Sequence, residues 1–220
     1  MVKFENKMIE IIDALEKSGL LKNCIISGSW AMFFYKEVFD GFVPPIATTD
    51  FDIFLPSVSK IKETNINKLL IDLDYLRDDD SYTGKTKYFS KDGFEIEFLT
   101  IPDRTMEHVI RIPAIGIGAE ALPKMKVAAW NYITVNYKGY EVNVPSPASY
   151  SLQKLLINKE RSEDKRIKDI DAVRYVLSYV ASSQKYKNEF VESYNNAPKK
   201  WKKAIRETML EYNLDLFIPF

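Results

Sequence analysis

The sequence predicts an α+β fold in two parts: a mixed sheet flanked by helices over residues 1–145, then a helical domain over 146–220. Three observations predict it. Short apolar or alternating segments, CIISG, TDFDIFLP, YTGKTKYFS and FEIEFLTI, are interleaved in the first part with stretches of helical periodicity. The triplet Pro145-Ser146-Pro147 then breaks the pattern. Beyond it the helical period dominates, and β signal is nearly absent until the last few residues.

Each element follows from its residues. Phe4, Met8, Ile11, Ile12 and Leu15 recur at the spacing of one helix face, and Gly19 closes that helix as a C-cap. Cys24-Ile25-Ile26 reads as a short buried strand running directly into Ser27-Gly28-Ser29. An aromatic-rich helix is expected from about Trp30 to Val38, followed by a loop in which Pro44 and Pro45 forbid helix. In TDFDIFLP, alternation puts Asp50, Asp52 and Phe54 on one face and Phe51, Ile53 and Leu55 on the other. Residues 60–74 read as a helix through Ile61, Leu69, Leu70 and Leu73. YTGKTKYFS and FEIEFLTI are strands joined by a hairpin turn at Lys91-Asp92-Gly93, with Glu95 and Glu97 sharing a face of the second. Residues 104–122 show no clear period. A helix at about 123–130 leads into a second hairpin, NYITVNY and YEVNV around Lys138-Gly139. SYSLQKLLINKER, DKRIKDIDAVRYVLSYV and residues 199–212 read as the helices of the second part. The apolar tail LDLFIPF must pack on this chain or on a partner.

Composition bounds the chemistry. The 220 residues are 46% hydrophobic and 28% charged, enough to bury a core without staples. A single cysteine, Cys24, excludes an internal disulfide and a Cys-based zinc site, and a single histidine, His108, excludes clustered His ligands. Any metal is therefore expected to be a hard cation on carboxylates, Mg²⁺ or Mn²⁺ in type. No apolar run is long enough to span a bilayer, and MVKFENKMIEII lacks a secretory pattern, so a cytoplasmic protein without membrane partners is expected. Charge balances at 31 against 31, yet residues 1–150 carry 17 basic and 21 acidic side chains while 151–220 carry 14 and 10. That asymmetry suits metals on one side and phosphates on the other. Scatter over a soluble surface explains the same numbers and has the better claim on them.

The constellation that carries chemistry is ordered: strand, Gly28-Ser29, helix, loop, an Asp50-x-Asp52 strand, then a strand bearing Glu95 and Glu97. Two aspartates at i and i+2 of a strand point the same way and can hold divalent ions, and a third carboxylate from a neighbouring strand completes such a shell. A glycine and a hydroxyl where a strand turns into a helix suit a phosphate tail. Taken singly, each piece has a plainer reading: solvated acids at a strand end, and a turn. Trp30 and Tyr35 are read as core before base-stacking groups. TGKTK at 83–87 imitates the end of a P-loop without its first glycine or its helix, and GIGAEA at 116–121 imitates a dinucleotide fingerprint without a βαβ unit.

In this order the residues IISGSWAMFFY, TTDFDIFL and GFEIEFLT resemble the nucleotidyltransferase fold of the DNA polymerase β superfamily. The C-terminal text VPSPASYSLQKLLINKERSEDKRIKDIDAV at 144–173 is similar to a bacterial nucleotidyltransferase-like subgroup, and more distantly to nucleotidyltransferase toxins of abortive-infection toxin–antitoxin pairs. The resemblance spans most of residues 20–180. It implies a nucleotidyltransferase-type sheet with nucleotide triphosphate as substrate and ATP-type nucleotide binding. It implies Asp50 and Asp52 as Mg²⁺ or Mn²⁺ ligands, with Glu97 as third carboxylate and Glu95 as its rival. Gly28, Ser29, Lys154 and Lys168 are implied as phosphate-holding residues, although a solvated helix face is the simpler reading of Lys168. The expected reaction moves a nucleoside monophosphate from the triphosphate to a hydroxyl. A tRNA end would fit a toxin-like role, and a small molecule or a protein is equally allowed. The alternative is a degenerate member that binds nucleotide without turnover, as a sensor or interaction module.

Overall fold

The computed structural model describes residues 2–44, 48–102 and 108–218; within the first helix the side chains are described from Phe4 onward. The chain divides into two compact units, one comprising Met1–Lys126 with Thr134–Val144, the other Val127–Ile133 with Pro145–Phe220.

The first unit opens with helix α1 (Val2–Lys17), whose Met8, Ile11, Ile12 and Leu15 are fully buried, as the 3.6-residue period requires. The chain then forms β1 (Ile25–Ile26), the short helix α2 (Ala31–Phe34), β2 (Asp50–Leu55), α3 (Ile66–Asp72), β3 (Leu76–Asp79), β4 (Thr86–Phe89), β5 (Glu95–Thr100), β6 (Val109–Ile112) and β7 (Ile117–Ala121). These seven strands make one mixed sheet in the order β1-β2-β5-β4-β3, with β7 joining β5 and β6 joining β7. The α+β class is thus realised. β2 and β5 run parallel, β5 and β7 run parallel, and the other pairs are antiparallel.

β5 changes neighbours half-way. Its first half pairs with β4 (Lys87↔Glu97), and from Leu99 it pairs with β7 (Leu99↔Glu120). Gly118 makes this branch possible: a Cβ there would stand 1.9 Å from the carbonyl oxygen of Gly84. The Gly118 amide instead donates to Thr86 Oγ1 at 3.0 Å.

Several elements differ from the pattern reading. The helix expected from Trp30 to Val38 is one α turn between two 3₁₀ turns, Gly28–Trp30 and Tyr35–Glu37. Its aromatic rings are core: Trp30 packs against Phe33, Phe51 and Phe94, and Tyr35 is fully buried. The helix read over 60–74 shortens to α3, because Thr64 Oγ1 accepts from the Ile66 amide and starts the helix there. β3 follows in a charged stretch, LRDD, that carries no apolar alternation. The stretch without a period contains β6 and β7, and residues 103–107 of it lie outside the described residues. TGKT runs into a strand instead of a helix, and GIGAEA lies in and beside β7, so neither imitation motif has the context its chemistry needs.

A hairpin of β8 (Tyr132–Tyr137) and β9 (Tyr140–Pro145) carries the chain into the second unit. The expected helix before it is a run of 3₁₀ turns, Pro123–Ala129. Four helices follow: α4 (Pro147–Ile157), α5 (Glu163–Ser182), α6 (Gln184–Asn196) and α7 (Lys199–Glu211). Ser146 caps α4 by accepting from the Ser149 amide, with Pro147 at the first helical position. Every residue from Pro147 to Leu156 is buried, so α4 is the axis of this unit. α6 is the helix that pattern reading missed; only Tyr186, Phe190 and Ser193 are buried in a polar sequence. In the tail, Leu214 and Ile218 are buried while Leu216 is exposed. No helix among the described residues is long and apolar enough to cross a membrane.

Candidate active site

The site is built on β1, β2 and β5. Ile25 and Ile26 pair antiparallel with Phe54 and Ile53. The ladder continues one step, the Ser27 amide donating to the Asp52 carbonyl at 2.9 Å with the Ser27 hydroxyl at 3.3 Å. The chain then turns at Gly28, whose φ of +62° lies in the left-handed region. That turn lays the Gly28 Cα against the side chain of Asp52: a Cβ on Gly28 would sit 2.0 Å from Asp52 Oδ2. The hydrogen on Gly28 is what leaves room for the carboxylate. Ser29 is half-buried in the same turn.

On the other side of β2 the parallel register sets Asp50 opposite Glu95 and Asp52 opposite Glu97. Residues paired across a ladder share a face, so these four acids stand on one side of the sheet. Asp50 is exposed and Asp52 half-buried, while Phe51 and Ile53 between and beyond them are fully buried.

Sequence reasoning missed two lysines of β4 and the segment before it. Lys87 lies opposite Glu97 in the β4–β5 ladder, and its ammonium pairs with both Glu95 and Glu97. Lys85 donates to Glu97 at 3.0 Å and also pairs with Glu120 of β7. The signal was present: KTK alternates within a hairpin whose turn fixes its register against EIE. Burial disfavours the charge on Glu97, yet hydrogen bonds from Glu95, Lys87 and Lys85 outweigh it and hold the carboxyl down at about 2. Burial together with the Glu97 hydrogen bond pushes Glu95 the other way, above the usual carboxylate range.

These contacts decide which acids suit a cation. Asp50 and Asp52 offer hard oxygen donors from one strand face, the Asp52 carboxylate lying in the space that Gly28 leaves, and fit a divalent ion of the Mg²⁺ class. Glu97 does not fit as an open ligand, since Lys85 and Lys87 hold its carboxylate. Among the described residues no three His, Cys, Asp or Glu side chains gather as a metal-holding group.

Lys154 and Lys168 belong to the second unit. Lys154 is buried on α4 and paired with Asp169 of α5 at 2.8 Å, and Arg161 stands 3.3 Å from the other oxygen of that aspartate. Lys168 is exposed on α5.

A family model described as nucleotidyltransferase matches residues 6–198 of this chain. The chain belongs to that nucleotidyltransferase family. Among solved structures it is similar to an antigenic nucleotidyltransferase-like protein from Paracoccidioides brasiliensis, at 16% identity and a TM-score of 0.56, over 96% of this chain and 89% of that one. It is also similar to the antibiotic-resistance factor ANT(2'')-Ia, at 12% identity and a TM-score of 0.48, over 94% of this chain and 91% of that one. No curated protein matches the sequence. The fold expected of the nucleotidyltransferase resemblance is therefore the fold found.

Proposed function

We propose that the first unit binds a nucleoside triphosphate with a divalent cation and transfers its nucleoside monophosphate to an acceptor hydroxyl. One observation carries this reading: the β2 register presents Asp50 and Asp52 together beside a glycine turn that has no room for a Cβ.

Asp50 and Asp52 would hold Mg²⁺ or Mn²⁺. When bound, the ion supplies charge neutralisation for the phosphates and acidifies the acceptor hydroxyl. The backbone amides of the Gly28–Ser29 turn and the hydroxyl of Ser29 receive phosphate oxygens. In the transfer a bond forms from the acceptor oxygen to the α-phosphorus, the bond to pyrophosphate breaks, and the acceptor proton passes to solvent or to a neighbouring carboxylate. Glu97 adds negative charge next to Asp52 and keeps the lysine ammoniums over this face. Lys154, tied to Asp169 inside its own unit, is assigned a structural part.

The decisive experiment incubates the protein with Mg²⁺ and α-³²P-labelled triphosphates and follows pyrophosphate release and label transfer to tRNA, to protein and to small-molecule hydroxyls. Asp52→Asn should lower transfer by about 10³-fold, a few kcal/mol of lost stabilisation. Equal turnover in the variant and the parent removes Asp52 from the chemistry. A second reading, nucleotide binding without turnover, has one observation in its favour: lysines neutralise Glu95 and Glu97. Binding of triphosphate without pyrophosphate release from the parent protein would support it.

A further inference from the structure

We infer that Lys87 is a built-in cation of this site, standing where a second divalent ion would otherwise be held, so that the protein takes one divalent ion, on Asp50 and Asp52. The inference rests on the functional reading above and deepens it.

Across the sheet, β2, β5 and β4 place Asp52, Glu97 and Lys87 in one row, each paired with the next. One row position away, Asp50 stands opposite Glu95. Four carboxylates on one face demand positive charge, because like charges in adjacent ladder positions repel. Two-ion nucleotidyl transfer meets that demand with a pair of divalent ions bridged by acids. Here the β5 acids are met from within the chain: Lys87 binds both Glu95 and Glu97, and Lys85 binds Glu97 and Glu120.

Lys87 is not a casual surface lysine. Its backbone is fixed opposite Glu97 by the antiparallel ladder, so its ammonium is delivered to the glutamates by the sheet itself. Its side chain is 30% exposed, those of Glu95 and Glu97 are 20% and 17% exposed, and Lys85 is 16% exposed. In such partly buried surroundings an ion pair is screened less than at the surface, and withdrawing the ammonium would leave two carboxylates uncompensated. A divalent ion seeking Glu97 must therefore displace Lys87 and Lys85 together. Asp50 and Asp52 lie one strand away on β2, with the Asp52 carboxylate seated against Gly28.

The test is Mn²⁺ binding, read by electron paramagnetic resonance of free Mn²⁺ and by calorimetry, with Mn²⁺ alone and with Mn²⁺ plus α,β-methylene-ATP. The parent protein should bind one Mn²⁺ per chain, and Asp52→Asn should weaken it at least tenfold. Lys87→Met, which keeps the stem and removes the charge, should add a second equivalent of Mn²⁺ or tighten binding at least tenfold. Lys87→Arg should keep one. Glu97→Gln, independent of how well Lys87→Met folds, should change Mn²⁺ affinity less than threefold. Two equivalents in the parent overturn the inference, as does Lys87→Met behaving like the parent or Glu97→Gln losing affinity tenfold. Absence of Mn²⁺ binding in the parent, with Asp52→Asn unchanged, overturns the functional reading as well. One equivalent lost in Asp52→Asn but unmoved in Lys87→Met overturns this inference alone.

Discussion

Gly28→Ala tests whether the turn and Asp52 are one device. The added Cβ would lie 2.0 Å from Asp52 Oδ2, against the 3.0 Å below which such contacts essentially never fall. The carboxylate must therefore retreat by about 1 Å or rotate off its rotamer, costing about 0.5–1.5 kcal/mol. Holding an alanine at φ +62° costs a further 1–2 kcal/mol or so. The sum is about 1.5–3.5 kcal/mol, a Tm decrease of roughly 3–14 °C for a chain of this size. The two contributions can be separated by urea denaturation of the parent, Gly28→Ala, Asp52→Ala and the double variant. With Asp52 truncated the clash is gone, so Gly28→Ala should then cost only its backbone share, leaving a coupling of about 1 kcal/mol. A Gly28→Ala cost that is the same in both backgrounds would refute the contact. In the same protein, a carboxylate displaced by that distance should reduce transfer about 10²-fold.

Other expectations follow from the same contacts. Gly118→Ala meets the Gly84 carbonyl at 1.9 Å, a backbone atom that cannot rotate aside, so it should cost about 3 kcal/mol or more and exceed Gly28→Ala in a urea melt. Lys154→Met leaves the buried Asp169 with Arg161 as the cation described beside it, so it should destabilise by about 3 kcal/mol, with part recovered when Asp169→Asn is added. Hydrogen bonding from Tyr137 outweighs burial and, with Lys138, lowers the Glu5 carboxyl below 4.5. Its contribution to stability is therefore complete above about pH 4.5 and is lost as the pH falls through the lowered value. Glu5→Gln should flatten the acid limb of the stability profile measured by circular dichroism, and Tyr137→Phe should do so in part.

Much of the geometry of the candidate site was legible in the residue order. The i, i+2 spacing of Asp50 and Asp52 needs only a strand to set both on one face, and the apolar residues between them fix which face is buried. The glycine of the turn was legible too, although its reason was not. Sequence suggested a close approach by phosphate; the structure shows Asp52 itself at that position, so the same absent side chain serves the acid first. Helix α1 and the β4–β5 turn were readable for the same local reason: their periodicity and turn residues act within a few positions.

What the chain order could not supply was pairing. Nothing local says that β5 lies beside β2 in parallel, or that it trades β4 for β7 at Leu99, because those contacts join residues tens of positions apart. β3 and α6 escaped notice because their burial is sparse: β3 is held by its ladder with β4, and α6 rests on three buried residues. The sequence by itself determined which acids share a strand face and where the glycine bend falls, because side-chain alternation is a property of the backbone alone. Only the tertiary structure decided that Lys85 and Lys87 stand over Glu95 and Glu97, because charges from separate strands meet only after the sheet has set their register.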